Sequence, residues 1–294
     1  MSTLFDTFRM KINKISPDEH DFLQIISGIA KNPKSLYFIG KLPETRIPTV
    51  AIVGSRKPTM YGKEVTYRLA YDLAAKGVII ISGLAIGVDG IAHRAALEAN
   101  GTTLAVLGNG LHSIYPATHR QLAKDILAAG GALISEYEPA VSARSFQFLE
   151  RNRIVSGLAD AVIITEAARR SGTLNTAAHA LDQGKEVFVV PGNITSPMSA
   201  GCNQLLRQGA APVTRAEDVL EVIAPQLLTT QAQLPLGNTP EETTIIQLLQ
   251  QGLRDGDELQ RASSIEPATL SMTLTMLEVN GTIRALGGNQ WTLH

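Results

Sequence analysis

The sequence predicts an α/β fold in which a doubly wound, mostly parallel sheet is followed by a small winged-helix unit. Apolar runs of four or five residues alternate with helical patterns between residues 49 and 190, as in a series of β–α units. Hydrophobic residues make up 44% of the 294-residue chain, which is enough for one large core and a smaller one. A stretch with three prolines and a glycine, residues 225–240, separates the two parts and is expected to be a linker.

Residues 1–45 are expected to form an N-terminal extension with one helix and one edge strand. Ser16 and Pro17 resemble a helix cap followed by proline at the first helical position. An apolar stripe at helical spacing follows, so a helix is predicted within residues 16–30. The short apolar run Leu36–Gly40 predicts the edge strand.

The segment 46–224 is expected to hold the parallel sheet. Strands are predicted at residues 49–53, 77–81, 103–107, 132–134, 161–164 and 186–190. Helices are predicted at residues 62–76, 88–100, 117–129, 150–158 and 173–184, with one more beginning near Gly201. Because each connection between parallel strands crosses over the sheet, the helices should cover both of its faces.

Residues 241–294 are expected to fold as a winged helix. Leucine and isoleucine at helical spacing mark a first helix, Asp257 begins a second, and Glu266 with Pro267 begins a third. A hairpin is predicted around Gly287 and Gly288. The segment carries three arginines and no lysine against seven acidic residues, a net charge of −4, and its third helix has no basic residue. Because phosphate neutralisation dominates affinity for DNA, this unit is expected to contact protein instead.

Composition narrows the class of protein. The single cysteine, Cys202, excludes an intrachain disulfide framework and a thiolate metal cage, and we expect a cytoplasmic protein. No apolar stretch approaches the roughly 18–20 residues of a membrane span, and the N-terminus lacks a signal-peptide pattern, so no membrane partner is expected. The net charge of −1 does not by itself indicate a nucleic-acid binder.

The first candidate site residues follow the central predicted strand, which ends in Gly54, Ser55 and Arg56. Ligands of open α/β sheets bind at the carboxyl ends of strands. Glycine lets the backbone turn tightly there, and arginine makes bidentate, charge-assisted hydrogen bonds to phosphate oxygens. The motif therefore indicates a phosphate site, although an ordinary strand-to-helix turn with an exposed arginine remains an alternative.

The next predicted strand also ends in small and polar residues. Ser82, Gly83 and Gly87 precede a helix, where backbone N–H groups can cradle an anion. Asp89 is expected to cap that helix. His93 lies one turn further along, so the two could form an acid–base pair; the alternative is a buried histidine that bonds within the core.

Aromatic and basic residues occur together before the fifth sheet strand. Phe148 precedes Arg151 and Arg153, with Asn152 between the two arginines. Single-stranded nucleic acid is bound by this combination, because cations neutralise phosphates and a ring can stack on a base. The alternative is the first turn of a helix with solvated arginines.

The sequence lacks the common signatures of catalysis. It contains no GxxxxGK[ST] loop, no GxSxG elbow, and no paired-histidine or CxxC metal spacing. We therefore expect no catalytic residue, no metal site and no cofactor, and a protein that binds an extended polyanion. The alternative is a nucleotide-binding hydrolase of the phosphoribohydrolase, lysine-decarboxylase-like class. In that case Asp89, His93, Glu136 and Glu166 would have to supply the chemistry.

Several short motifs occur in the order in which a known family has them. They are Gly54-Ser55-Arg56, Ser82-Gly83-Leu84-Ala85, Tyr115-Pro116, Arg151-Asn152-Arg153, Ser171-Gly172-Thr173, Pro191-Gly192 and Gly201-Cys202-Asn203. With them the chain resembles the DNA-processing protein A (DprA/Smf) family over about residues 36–223, and its tail resembles that family's winged-helix domain. The resemblance implies an extended Rossmann-like fold. It also implies a homodimer that binds and protects incoming single-stranded DNA and loads RecA recombinase during natural transformation.

The resemblance further implies which residues bind DNA. Arg56 would hold backbone phosphate, and Phe148 would stack on a base. The full set implied is Gly54, Ser55, Arg56, Ser82, Gly83, Gly87, Phe148, Arg151, Asn152, Arg153, Ser171, Gly172 and Thr173. The chain departs from the family where Leu149 and Glu150 replace a proline before the two arginines, and where Asn109 replaces a threonine.

Overall fold

The structure is a computed structural model that describes residues 11–228 and 239–293. The chain divides into two compact units between Leu228 and Thr229. The first unit holds a large sheet with helices, and the second holds helices and a hairpin. None of the helices in the described residues is both long and apolar enough to cross a membrane.

The first unit is built on a sheet of nine described strands. They are β1 (Asn13–Ile15), β2 (Leu36–Gly40), β3 (Thr49–Val53), β4 (Ile79–Ser82), β5 (Thr103–Leu107), β6 (Ala132–Ser135), β7 (Ala161–Ile164), β8 (Glu186–Val189) and β9 (Ala211–Pro212). Their order is β1-β2-β6-β5-β4-β3-β7-β8-β9. The strands from β6 to β9 in this order are all parallel, whereas β2 and β1 are added antiparallel at one edge. The predicted α/β class with a mostly parallel sheet is confirmed.

Helices cover both faces of this sheet. They are α1 (Met60–Ala75), α2 (Val88–Glu98), α3 (Arg120–Ala128), α4 (Ser145–Leu158), α5 (Thr173–Asp182), α6 (Ala200–Arg207) and α7 (Ala216–Ile223). Val50 and Ile52 of β3 pack in a core with α1, α2 and α7, whereas Ala51 and Val53 pack in another with α4 and α5. All of β3 is buried. Strands covered on both faces have near-continuous apolar runs, which explains the run of apolar residues in the sequence.

Residues 16–30 do not form the single helix that the sequence predicts. Two short 3₁₀ helices, Pro17–Glu19 and Gln24–Gly28, stand there instead. Phe22, Leu23 and Ile26 are nevertheless fully buried in the core beside α4. Apolar residues three to four positions apart reach one side of a 3₁₀ turn as readily as of an α-helix, so their spacing could not distinguish the two.

Two other local predictions are corrected in the first unit. α4 begins at Ser145, five residues before the predicted start at 150, and the predicted helix at 117–129 is a 3₁₀ turn, Ala117–His119, followed by α3. The strands β1 and β9 were not predicted, because they have only three and two residues and show no apolar alternation.

The second unit is the predicted winged helix. Its helices are α8 (Pro240–Gln250), α9 (Gly256–Ser263) and α10 (Pro267–Val279), and its wing is the antiparallel hairpin β10 (Ile283–Gly287) and β11 (Gln290–Leu293). Isoleucine and leucine side chains from the helices and from β10 form a separate core. Of the predicted linker, Pro225–Leu227 forms a 3₁₀ turn, and residues 229–238 lie outside the described part of the chain.

Candidate nucleic-acid interface

A cleft opens at the carboxyl edge of the sheet, where the strand order reverses. β3 pairs with β4 on one side and with β7 on the other. From β3 to β6 each new strand is added toward one edge of the sheet, whereas from β7 to β9 each is added toward the other edge. Such a switch point separates the loops that follow adjacent strands and leaves a crevice for a ligand. The cleft here has a volume of about 380 Å³, and we call it the Arg56 cleft. Its wall includes Gly54, Ser55, Arg56, Phe148, Asn152 and Gly172.

The loop after β3 is fixed by Glu166, which follows β7. The backbone N–H of Ser55 donates to the carbonyl of Glu166 at 2.8 Å. The buried Glu166 carboxylate accepts from the N–H of Thr59 at 2.8 Å and from its hydroxyl at 2.6 Å. The Ser55 hydroxyl is turned into the loop, where it accepts from the N–H of Lys57 at 3.0 Å. These bonds fix the loop, and Arg56 at its tip is exposed.

Arg56 lies beside two aromatic rings. Its Cζ is 5.8 Å from the centroid of the Phe148 ring, and the Phe148 and Tyr115 centroids are 5.2 Å apart at an interplanar angle of 34°. Tyr115 is 49% exposed. The three side chains also line a small cavity of about 60 Å³. A cation and two partly open rings at one place can contact a phosphate and a neighbouring base together. In the sequence Tyr115 stands out only as part of a motif shared with the family, and its adjacency to Phe148 exists only in the fold.

Arg151 lines the Arg56 cleft but is almost completely buried. Its Nη1 donates to the carbonyl of Gly83 at 2.7 Å and also to the carbonyl of Val106. An ideal Cβ on residue 83 would lie 2.5 Å from Arg151 Cζ, so only glycine fits beside this guanidinium. Burial lowers the pKa of Arg151, and the charge of nearby Asp89 opposes that shift. The side chain therefore joins the loops under the cleft and has little surface left for a phosphate.

The neighbouring residues of α4 point in different directions. Asn152 lines the cleft and donates to Asn175 Oδ1 at 3.3 Å. Arg153 does not line it. Its guanidinium is paired with Glu136 and donates through Nε to the carbonyl of Lys31 at 2.9 Å. Residues two positions apart on a helix face opposite sides, so the arginine pair predicted to lie beside the groove does not present two free cations there.

The remaining predicted residues are divided between the cleft and its surroundings. Ser171, Gly172 and Thr173 line the cleft, just where α5 begins. Ser82 is fully buried, and its hydroxyl donates to the carbonyl of Ile52 at 2.7 Å. Gly87, with a φ of +84°, precedes α2 and lines an adjoining cavity that also contains Arg56.

The four side chains that a hydrolase would need all have partners within the fold. Asp89 accepts from the N–H groups of Gly83 and Ala85 at 3.1 and 3.3 Å. Glu136 pairs with Arg153, and Glu166 bonds to Thr59. His93 Nδ1 is 2.7 Å from Thr103 Oγ1, and burial lowers the pKa of His93 to about 3. His93 thus bonds to Thr103 in the core and does not pair with Asp89.

Family models match both units of the chain. The family model of DNA recombination-mediator protein A matches residues 13–224, and that of the DprA winged helix domain matches residues 229–289. The chain belongs to the DprA/Smf family. The Smf protein of Escherichia coli is 48% identical over 189 residues, and a DNA processing protein DprA of Mycobacterium tuberculosis is 40% identical over 270 residues.

The matches cover different shares of the DprA proteins. The chain spans 50% of the length of E. coli Smf and 69% of the M. tuberculosis protein, while 64% and 89% of this chain are matched. The crystal structure of DprA from Streptococcus pneumoniae has a TM-score of 0.67 at 37% identity, over 72% of this chain and 75% of that one. DprA from Helicobacter pylori, described with its single-stranded DNA binding mode, has a TM-score of 0.63 at 32% identity, over 74% of this chain and 97% of that one.

Proposed function

We propose that this protein binds single-stranded DNA in the Arg56 cleft, with little preference for base sequence. One observation carries the proposal. Arg56 is exposed at the switch point, over the ring of Phe148, and forms no ion pair within the described residues. A cation without a carboxylate partner is available to a phosphate. A ring beside it offers a base a stacking surface that does not depend on the identity of the base.

Family membership is the support for a wider role. We infer a recombination mediator that protects incoming DNA and delivers it to RecA during natural transformation, acting in the cytoplasm as a homodimer. Membership in the DprA/Smf family supports this role, and the H. pylori relative is described as binding single-stranded DNA. A binding role without turnover is also supported by the side chains of Asp89, His93, Glu136 and Glu166, which are engaged in hydrogen bonds or ion pairs.

The binding function is tested with fluorescently labelled oligo(dT). Anisotropy titrations at several salt concentrations should give an affinity that falls steeply as salt rises, because counterions are released when phosphates are neutralised. Incubation with nucleoside monophosphates should release no free base. Absence of oligo(dT) binding at low salt would contradict the proposal, and base release would favour the phosphoribohydrolase alternative.

The mediator role needs separate measurements. Light scattering on the same sample should give twice the mass of the chain, and the protein should accelerate RecA filament formation on single strands coated with single-strand binding protein. A monomer, or a filament rate that does not respond to the protein, would contradict these two parts while leaving DNA binding in place.

A further inference from the structure

A second cavity adjoins Arg56 on the side away from α4. It has a volume of about 500 Å³, and Arg56 belongs to the walls of both this cavity and the Arg56 cleft. The other basic residues of its wall are Lys57, Lys63 and Arg94. We call it the basic cavity. Lys57 follows Arg56 in the loop after β3, Lys63 lies in the first turn of α1, and Arg94 lies on α2.

The charges of the basic cavity are not balanced locally. Arg56, Lys57, Lys63 and Arg94 are all exposed, its wall contains no acidic residue, and none of the four forms an ion pair within the described residues. Some cations elsewhere in this unit are paired, as Arg46 is with Asp160 and Lys76 with Glu217, and others are not; the basic cavity differs in that four unpaired cations surround it. The whole chain has a net charge of only −1, so four unpaired cations around one cavity are a local concentration of charge. Such a concentration attracts a polyanion.

Another cavity, which the loop after β3 also borders, lacks this positive charge. Its wall includes Thr59, Tyr61, Asn193 and Glu166, and no lysine or arginine of the part of the chain that the structure describes. A phosphate would meet a negative charge there and no compensating cation. The backbone of a bound strand is therefore favoured on the side of Lys57, Lys63 and Arg94.

We propose that the basic cavity is a second phosphate subsite for the same DNA strand. A strand that contacts Arg56 and Phe148 continues over Lys57, Lys63 and Arg94, and Arg56 lies where the two subsites meet. Among the described residues, the wall of the basic cavity contains no aromatic side chain, so this subsite binds the backbone and stacks no base. Its contribution is purely electrostatic, and it matters only for strands long enough to extend beyond the Arg56 cleft. The proposal rests on single-stranded DNA binding at that cleft.

The test compares two triple variants of the full chain. In the first, Lys57→Gln, Lys63→Gln and Arg94→Gln are combined. In the matched control, Lys11→Gln, Lys41→Gln and Arg207→Gln remove the same charge from exposed positions that line neither cavity. Each protein is titrated with oligo(dT) of about 4 and about 16 nucleotides, which spans the usual range of single-strand site sizes, at a series of salt concentrations.

The expected result is specific to the long strand. Each phosphate contact contributes about 0.7 to the steepness of the plot of log affinity against log salt. Because the first variant removes three cations, that plot should become less steep by about 2 for the long strand. Its affinity for the short strand should change no more than that of the control. An unchanged slope for the long strand, or a loss equal to the control's, would overturn the subsite.

An Arg56→Ala variant separates this proposal from the function on which it rests. If Arg56→Ala weakens binding of both strands and the triple variant changes neither, the second subsite is wrong and the Arg56 cleft stands. If the wild-type protein binds neither strand, both proposals fail. Thermal melting of each variant identifies any loss of affinity that comes from unfolding.

Discussion

The guanidinium of Arg56 lies over the ring of Phe148, with 5.8 Å between Arg56 Cζ and the ring centroid. One side chain comes from the loop after β3 and the other from the first turns of α4, so the contact joins two elements on either side of the cleft. A phosphate bound to the arginine would bring an adjacent base close to the ring. Cation and ring are thus expected to act on neighbouring parts of one nucleotide chain.

Replacing Arg56 tests the cation. Arg56→Ala should weaken single-strand binding by about 1–3 kcal/mol, as expected when a charge-assisted hydrogen bond to phosphate is lost. Because phosphate carries no sequence information, the loss should be similar for oligo(dT) and for a mixed sequence in anisotropy titrations. Unchanged affinity at moderate salt would remove Arg56 from the site.

Replacing Phe148 and Tyr115 tests base stacking. Phe148→Ala should weaken binding by about 1–3 kcal/mol, and Tyr115→Ala should also reduce it, because a stacked base loses a ring in each case. Phe146→Ala is the matched control, since Phe146 is an exposed phenylalanine on the same helix and does not line the cleft. If Phe146→Ala and Phe148→Ala weaken binding equally in the same titration, Phe148 does not stack on a bound base.

Arg151 should matter for stability more than for contact with DNA. Arg151→Met removes a buried cation that bonds to two carbonyls and leaves Asp89 without its positive neighbour, so the free energy of unfolding should fall by about 3–5 kcal/mol. Urea denaturation measures this. Arg144→Met, at an exposed position next to the same helix, should stay within about 0.5 kcal/mol of wild type. A mild effect of Arg151→Met on unfolding would contradict the buried role.

His93 should make stability depend on pH. The folded protein holds its imidazole neutral, with a pKa of about 3, whereas an unfolded histidine has a pKa of about 6.5. Between these values the unfolded state binds a proton that the folded state does not. As the pH is lowered below about 6.5, the free energy of unfolding should therefore decrease, by up to about 1.4 kcal/mol for each pH unit. Urea midpoints of wild type and His93→Gln should converge as pH falls from 7 to about 5; parallel curves would mean that His93 titrates normally.

The winged helix should not add affinity for DNA. α10, the helix that such domains place in a groove, has no basic residue, and Met272, Met276 and Val279 are exposed on it. A fragment of residues 229–294, which has its own core, should fold by circular dichroism and fail to bind duplex or single-stranded DNA at physiological salt. Binding by the folded fragment would overturn the expectation that this unit contacts protein.

The sequence predicted much of the sheet because buried parallel strands have near-continuous apolar runs. β3, β5 and β7 have the predicted limits, and the fold placed Arg56 at the edge of the sheet as expected. Some of the motifs that carry the family resemblance lie in loops that line the Arg56 cleft. The sequence could predict features that depend on residues close together in the chain.

The parts that could not be predicted depend on contacts between distant segments. Nothing near Arg153 in sequence signals that Glu136 neutralises it, and Arg151 bonds to carbonyls, which every residue has. Lys57, Lys63 and Arg94 were overlooked because they are spread over almost 40 residues and meet only when α1 and α2 pack side by side. Lys57, which directly follows Arg56, was the one available signal.

The bonds of Arg151 also bear on the order in which the protein folds. They join α4 to carbonyls 68 and 45 residues earlier in the chain, at the ends of β4 and β5. Ordering such distant segments costs chain entropy that only a largely assembled sheet can offset. The cleft should therefore form late in folding, and partly folded molecules should not capture DNA. Bound DNA should in turn slow amide hydrogen exchange in α4 as well as in the loops that touch the strand.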